Sequence, residues 1–342
     1  MSGGVDSAVA AYLASRERDA AGVTMRLCSA GVCDENAANE DCRGAAAVCR
    51  MLGIPHFVAE LGAEFRERVV APFIAEYEAG KTPNPCVFCN KAIKFGALLE
   101  FARQNGYENI ATGHYARIEH DASGRALLRR AADASKDQTY MLWTLTQDVL
   151  KHVALPLGGL TKSEARELAR ELGFPMAARK DSQDICFVPD GDYAAFIEKM
   201  TGKAPVGGDF IDREGRVLGR HKGQLHYTIG QRKGLGIALG KPAFVTAKSA
   251  EKNTVTLGEN EDLFGKRLVA KSINLIPFDE MAAPMKLLAK ARYRHEAAMA
   301  RVEQVDADTL AVEFDEPQRA ICAGQSLVLY DGDYVIGGGI IQ

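Results

Sequence analysis

The sequence predicts an α/β protein: a parallel-sheet domain, then a small β-rich central domain, then a C-terminal β-barrel. Three observations predict it. Through the first half, short apolar runs alternate with helical patterns of ten or more residues, the signature of a parallel sheet covered on both faces. From about residue 203 the helical patterns give way to short β-rich runs such as "FIDREGRVLG", "AFVTAKSAEKNTVTLG" and "SLVLYDGDYVIGGGII", separated by Gly, Asp and Asn turns. The chain has 342 residues, enough for two or three domains with their own cores. The expected boundaries are 1–198, 199–266 and 267–342.

The elements follow in order. An Ala-rich helix is expected over 7–18, a short buried strand over 20–27, and a helix over 39–53 stopped by Gly53 ahead of Pro55. Residues 56–61 read as a strand, 64–80 as a helix interrupted near Pro72, 82–90 as a stiff loop, 93–106 as a helix and 109–114 as a strand. Thr161 stands three residues before Glu164 and an apolar helical period, with Gly173 and Pro175 beyond, so a capping box should open a helix over 160–175. That segment superficially resembles a Walker loop, but the glycine before its lysine is missing, and the capped helix explains it.

Composition narrows the setting. No run of eighteen apolar residues is present, so no transmembrane helix is expected, and no basic-then-apolar leader opens the sequence. A cytoplasmic protein with no membrane partner is the expectation, and there eight cysteines point to metal binding or reactivity rather than structural disulfides. The net charge of −3 gives no sign of a nucleic-acid partner, but its distribution does. Between Gly215 and Ala250 stand seven Lys or Arg residues and no acid. Arg220, Lys222, Arg232, Lys233 and Lys241 lie there among glycines, near His221, His226 and Tyr227, a pattern able to follow a phosphate backbone. A solvated basic face is the alternative. "KARYRHEAAMAR" (290–301) is a second basic stretch, and Tyr293 or Phe88 could stack on an unpaired base. His56, His120 and His152 are read as structural.

Two motifs carry chemistry. "SGGVDS" (2–7) places Gly3 and Gly4 between serines, immediately before a helix. Backbone N–H groups there can approach an anion closely, and the helix dipole favours it. Ser2 and Ser7 add hydroxyl donors, Val5 lies within the loop, and Asp6 could orient it or help hold Mg²⁺. A plain helix N-cap at Asp6 or Ser7 is the competing reading. "TPNPCVFCN" (82–90) sets Cys86 and Cys89 three apart, a spacing used for zinc, disulfide exchange, iron–sulfur clusters and sulfur carriage. Cys42 and Cys49 share one helix face of small apolar residues, which suits packing. Cys28 and Cys33 are assigned no firm role, a second metal site being the minor alternative, and Cys322 is expected in barrel packing.

The loop "SGGVDS", together with "TPNPCVFCNKAIKFG", "ATGHYAR", "SKDQTYML", "DSQDICFVP", "GQLHYTIGQRKGLGI", "ARYRH" and "GQSLVLYDGD" in that order, resembles the tRNA-specific 2-thiouridylases of the PP-loop ATP pyrophosphatase superfamily, over nearly the whole chain. The resemblance implies a PP-loop, adenine nucleotide hydrolase-like first domain that binds ATP and Mg²⁺. It implies ATP-dependent 2-thiolation of the wobble uridine of Lys, Glu and Gln tRNAs, with sulfur from a cysteine desulfurase or a sulfur carrier protein. Cys186 would receive a persulfide and Cys89 would attack it. Ser2 to Ser7 would hold phosphates, and Met25 and Gly113 would sit at the adenine. Asn84 and Pro85 would meet the target base. His114, Lys136, Asp137, Gln138, Arg292, Tyr293 and Gln325 would contact tRNA. Cys86 departs from the aspartate common in the family, and with Cys89 and Cys186 it makes three thiols. Persulfide chemistry and a three-cysteine 4Fe–4S cluster both remain open at this level, with zinc behind them. The family loop also follows a buried strand, which is expected upstream of Met1. Two other function classes remain: a PP-loop ligase of small metabolites, which leaves the cysteines unexplained, and a non-catalytic RNA-binding protein.

Overall fold

The computed structural model describes residues 1–27, 32, 35–177, 185–188 and 190–342. The first domain alternates as expected: α1 (Val5–Glu17), β1 (Gly22–Arg26), α2 (Glu35–Leu52) and β2 (His56–Glu60). A continuous helix α3 then covers 62–78, built from Gly62–Phe65, a π-turn at Arg66–Val70, and Ala71–Glu78. The interruption expected at Pro72 is absent. A proline ring would clash with the carbonyl four residues back, and the preceding π-turn, closed by Ala71 N–H to Arg66 O, widens the helix to admit it.

A second long helix, α4, covers 85–104: Pro85–Cys89, a π-segment Asn90–Ala97, and Leu98–Gln104. This corrects the expectation of a stiff loop over 82–90. Pro85 stands at the first helical position and the Asn84 side chain accepts the Cys86 N–H at 3.1 Å. Proline there sacrifices a donor that the helix would leave unpaired anyway, and asparagine is a strong N-cap. Both cysteines therefore lie in the first turn of a helix. One face of α4 places Cys89, Ile93 and Leu98 in a core with Phe65, Phe73, Tyr77 and Ile197. The other places Val87, Phe95 and Leu99 against Trp143, Val328 and Tyr330.

After β3 (Ile110–Ala111) the hairpin β4 (Ala116–His120) and β5 (Ala126–Arg130) departs from the alternation, followed by α5 (Gln147–Leu150), β6 (Val153–Ala154), α6 (Lys162–Glu171) and α7 (Tyr193–Thr201). The capping box of α6 forms as expected, with Thr161 and Glu164 each bonding the other's backbone N–H. The parallel sheet consists of two pairs, β1–β2 and β3–β6. Val23 and Met25 of β1 and Ile110 and Ala111 of β3 line one cavity, and the Met1 amino group donates to Val23 O at the edge of β1.

The central sheet runs β8–β7–β10–β9, from β7 (Gly208–Ile211), β8 (Val217–His221), β9 (Phe244–Ser249) and β10 (Thr254–Gly258). The last domain is a closed barrel of β11 (Phe264–Leu275), β12 (Met285–Lys290), β13 (Ala298–Asp306), β14 (Thr309–Arg319), β15 (Ser326–Asp331) and β16 (Tyr334–Ile341). Its order is β11–β14–β13–β12–β15–β16, with β16 returning to β11. Closure leaves no free edge in the ring. Outside it, β5 meets β16 at Arg129 and Tyr334, and Tyr140 OH and Trp143 Nε1 both bond Ser326, tying the first domain to the barrel.

Candidate active site

The phosphate loop is built from residues 2–7. Gly4 is the N-cap of α1 and no side chain caps the helix, so the simple cap expected as an alternative at Asp6 or Ser7 does not form. Gly3 turns the loop at φ +66°, and a Cβ there would lie 2.9 Å from Asp41 Cα. Ser7 Oγ donates to Gly4 O at 3.0 Å and accepts from Ser2 N–H at 3.1 Å, while the two hydroxyls stand 3.2 Å apart. Asp6 faces α6. Both its oxygens lie 2.7 Å from Lys162 Nζ, and Tyr115 OH donates to Oδ1 at 2.9 Å. These partners suit an orienting role for Asp6.

Gly113 packs directly on that residue: a Cβ there would lie 2.8 Å from the Asp6 carbonyl carbon. Because the obstacle is backbone, Gly113→Ala is expected to push the loop out of register. It should weaken ATP binding at least about tenfold, measured by calorimetry.

The loop opens onto a cavity of about 990 Å³ lined by Ser2, Asp6, Ser7, Met25, Gly113, Lys94, His114 and Gln138. The volume suits a nucleotide-sized ligand. His114 is buried at 7% exposure, with Nδ1 2.8 Å from Thr112 Oγ1 and Nε2 3.5 Å from Lys94 Nζ. Burial, with Lys94 beside it, lowers its pKa well below the ordinary histidine value, so the ring is neutral at pH 7. It therefore faces the cavity from inside the protein.

Cys86 is exposed on the first turn of α4, Cys89 is buried beneath it, and Cys186 is exposed. What brings the third thiol near the other two is its neighbour. The Phe187 ring wedges between Phe65, Phe73 and Phe196 at centroid distances of 5.6, 5.3 and 5.2 Å, and it shares its core with Cys89. All three are free thiols. Burial pushes the Cys89 thiol up to about 12, and the surrounding protein raises Cys86 and Cys186 as well. Among the described residues no three His, Cys, Asp or Glu side chains are grouped to hold a metal. As placed, the three thiols do not form such a group. Cys42 and Cys49 lie on α2, Cys49 fully buried, as packing requires, and Cys322 is buried at 2%. Cys28 and Cys33, and the segment 178–184 ahead of Cys186, lie outside the described residues.

The residues expected to meet tRNA divide into two groups. Asn84 caps α4, with Nδ2 near Met141 Sδ, and Pro85 is buried. Asp137 accepts from Ala131 N–H and Thr139 OH, and Gln138 accepts from Tyr115 N–H, so both side chains clamp their own loop. Arg292 donates to Ile229 O and Cys322 Sγ, joining barrel to central domain. Gln325 donates to Thr82 O at 2.5 Å, joining barrel to the segment that leads into Cys86. Tyr293, at 39% exposure beside Tyr140 and Lys290, presents an aromatic face. Lys136 is half-buried near it. The basic stretch is less free than its sequence implies: Arg216 pairs with Asp212, Arg220 with Asp209 and Lys241 with Glu259, while half-buried Lys248 lies over the Tyr77 ring. The acids lie just outside the stretch: Asp209 and Asp212 ahead of it and Glu259 beyond it. Lys222, Arg232 and Lys233 stay exposed.

Sequence reasoning missed Lys162, Tyr115, Phe187 and Lys94. Lys162 and Asp6 are 156 positions apart, and no local pattern pairs them. Phe187 and Lys94 lay inside the quoted motifs, where aromatic and basic side chains beside cysteines were the available signal.

Family models match three consecutive parts of the chain: "tRNA methyl transferase HUP domain" over residues 1–190, "tRNA methyl transferase PRC-barrel domain" over 194–259, and "Aminomethyltransferase beta-barrel domain" over 265–341. Similar proteins include the tRNA-specific 2-thiouridylase MnmA of Clostridioides difficile, 49% identical over 100% of this chain and 96% of the relative. That of Clostridium acetobutylicum is 48% identical over 100% and 98%, and that of Lachnoclostridium phytofermentans 47% over 100% and 98%.

Proposed function

The chain belongs to the tRNA-specific 2-thiouridylase family, and from that premise we propose that it uses ATP to replace the C2 oxygen of a tRNA wobble uridine with sulfur. The observation that carries the reading is the meeting of two sites. The phosphate-loop cavity and the Cys86–Cys89–Cys186 thiols are joined through α4, whose Lys94 lines the cavity and whose first turn holds two of the thiols. The family-model descriptions speak of methyl transfer. A methyl group calls for neither a phosphate loop nor a thiol pair, so the residues favour sulfur.

The chemistry runs in two steps. The uridine C2 oxygen attacks the ATP α-phosphate, pyrophosphate leaves, and the oxygen becomes part of a good leaving group. Magnesium, bound with the nucleotide, neutralises phosphate charge. Sulfur carried as a persulfide on Cys186 then bonds C2. Cys89 attacks the Cys186 sulfur, the two cysteines are oxidised to a disulfide, the transferred sulfur keeps the electron pair of the broken S–S bond, and AMP leaves. Backbone N–H groups of Gly3 to Asp6 bind phosphate, Met25 and Gly113 border the adenine, and Asp6 holds the loop through Lys162 and Tyr115. Tyr293, Lys222, Arg232 and Lys233 supply the open aromatic and basic surface for RNA. A desulfurase or sulfur carrier delivers the persulfide, and the cytoplasm is the setting that goes with these substrates. Among the described residues no helix is long and apolar enough to cross a membrane.

The test is a nucleoside assay. Purified protein, given a cysteine desulfurase with free cysteine to load the persulfide, ATP and an unmodified tRNA transcript bearing a wobble uridine, should yield 2-thiouridine by mass spectrometry only when ATP is present. Pyrophosphate–ATP exchange that needs a small acid and no RNA would overturn the reading in favour of a metabolite ligase.

A further inference from the structure

Lys94 stands in the π-segment Asn90–Ala97, where Leu98 N–H bonds Ile93 O, five residues back. In a regular α-helix, residues five apart point about 140° from one another. A turn closed between residues five apart brings them toward one face, so the π-segment swings Lys94 round toward the side of Cys89. Such turns inside α-helices occur often at functional sites. Lys94 also lines the nucleotide cavity with Ser2, Asp6, Ser7 and Gly113. Among the described residues its one hydrogen-bond partner is the neutral His114, at a long 3.5 Å. An ammonium has three donors, so donors remain for a ligand in the cavity.

We propose that Lys94 is a further catalytic residue of this site: a fixed positive charge between the thiols and the cavity that stabilises the attacking sulfur anion on one side and the departing AMP phosphate on the other. The proposal rests on the sulfurtransferase reading. Lys94 transfers no proton; the thiol proton goes to solvent. Its charge pulls the Cys86, Cys89 and Cys186 thiols down against the surrounding protein that raises them. A preorganised charge aimed at a site of developing negative charge is often the largest single contribution to a rate.

The test compares Lys94→Gln and Lys94→Arg with wild type in the full-length chain. Cys86 and Cys186 are alkylated at one pH by iodoacetate, an anion, and by iodoacetamide, its neutral analogue, with each site followed by peptide mapping. The ratio of the two rates reports local charge, since the thiolate fraction cancels. It should fall several-fold in Lys94→Gln and stay near wild type in Lys94→Arg. Single-turnover thiolation should fall about a hundredfold in the glutamine variant and recover to within tenfold with arginine. An unchanged reagent ratio in Lys94→Gln overturns the proposal, as does full thiolation by that variant. Should the glutamine variant melt early, the arginine variant decides: retained ratio and retained thiolation support the charge, and loss of both overturns it. The alkylation needs neither RNA nor ATP, so a wild-type chain that fails to thiolate tRNA sinks the functional reading while the ratio still judges Lys94.

Discussion

Cys89→Ser is expected to abolish 2-thiouridine formation, by about a thousandfold or more, while tRNA-dependent pyrophosphate release stays within a few-fold of wild type. Serine is close to cysteine in size, so Ile93 and Phe187 keep their packing around it. What is lost is the nucleophile. The Cys89 thiol, raised to about 12, is ionised in only about one molecule in 10⁵ at pH 7. Because the pKa lies above the working pH, raising the pH increases the thiolate. The single-turnover rate should climb by up to tenfold per unit from pH 7 to 9. Cys186→Ser should give the same loss, with no persulfide recovered on the protein by mass spectrometry. Thiolation that survives either substitution, or a rate flat across that pH range, would remove the two cysteines from the chemistry.

The order of elements in the first domain was legible because apolar runs and helical periods alternate cleanly from Val5 to Ala111, and Thr161 with Glu164 announced a helix start. The hairpin over 116–130 was not. Its strands are short, and besides pairing with β4, β5 is anchored through Arg129 to a partner more than two hundred residues away, Tyr334 of the barrel. The Pro72 and Pro85 regions misled in the same direction: both prolines sit within helices, one behind a π-turn and one at the first helical position, where the usual penalty is absent. In the site, the loop and the cysteines could be read because each is a local string. Lys162 could not, because its partner is remote. The basic stretch 215–250 showed its charge but not its neutralisation, since Asp209 and Glu259 approach from residues outside it and Asp212 reaches Arg216 from four residues ahead.

Lys162→Met is expected to weaken ATP binding by roughly thirtyfold while leaving the alkylation of Cys86 and Cys186 unchanged. Methionine keeps most of the apolar stem but removes the ammonium that holds both Asp6 oxygens. The Lys162 side chain is only 11% exposed and that of Asp6 34%, so the pair lies between a surface ion pair worth under about 1 kcal/mol and a buried one costing about 3–5 to break. About 2 kcal/mol is the intermediate expectation, which corresponds to about thirtyfold in affinity. Asp6 would retain the Tyr115 hydroxyl alone, and its freed carboxylate would swing toward the cavity, where it repels phosphate. Asp6→Asn should be milder, since the amide keeps a bond to Tyr115 and introduces no negative charge. The double variant should then bind ATP better than Lys162→Met alone, because removing the stranded carboxylate relieves the damage. Equal affinity in Lys162→Met and wild type would mean that the loop holds its shape without this pair, and that Gly3, Gly4 and the serine hydroxyls suffice.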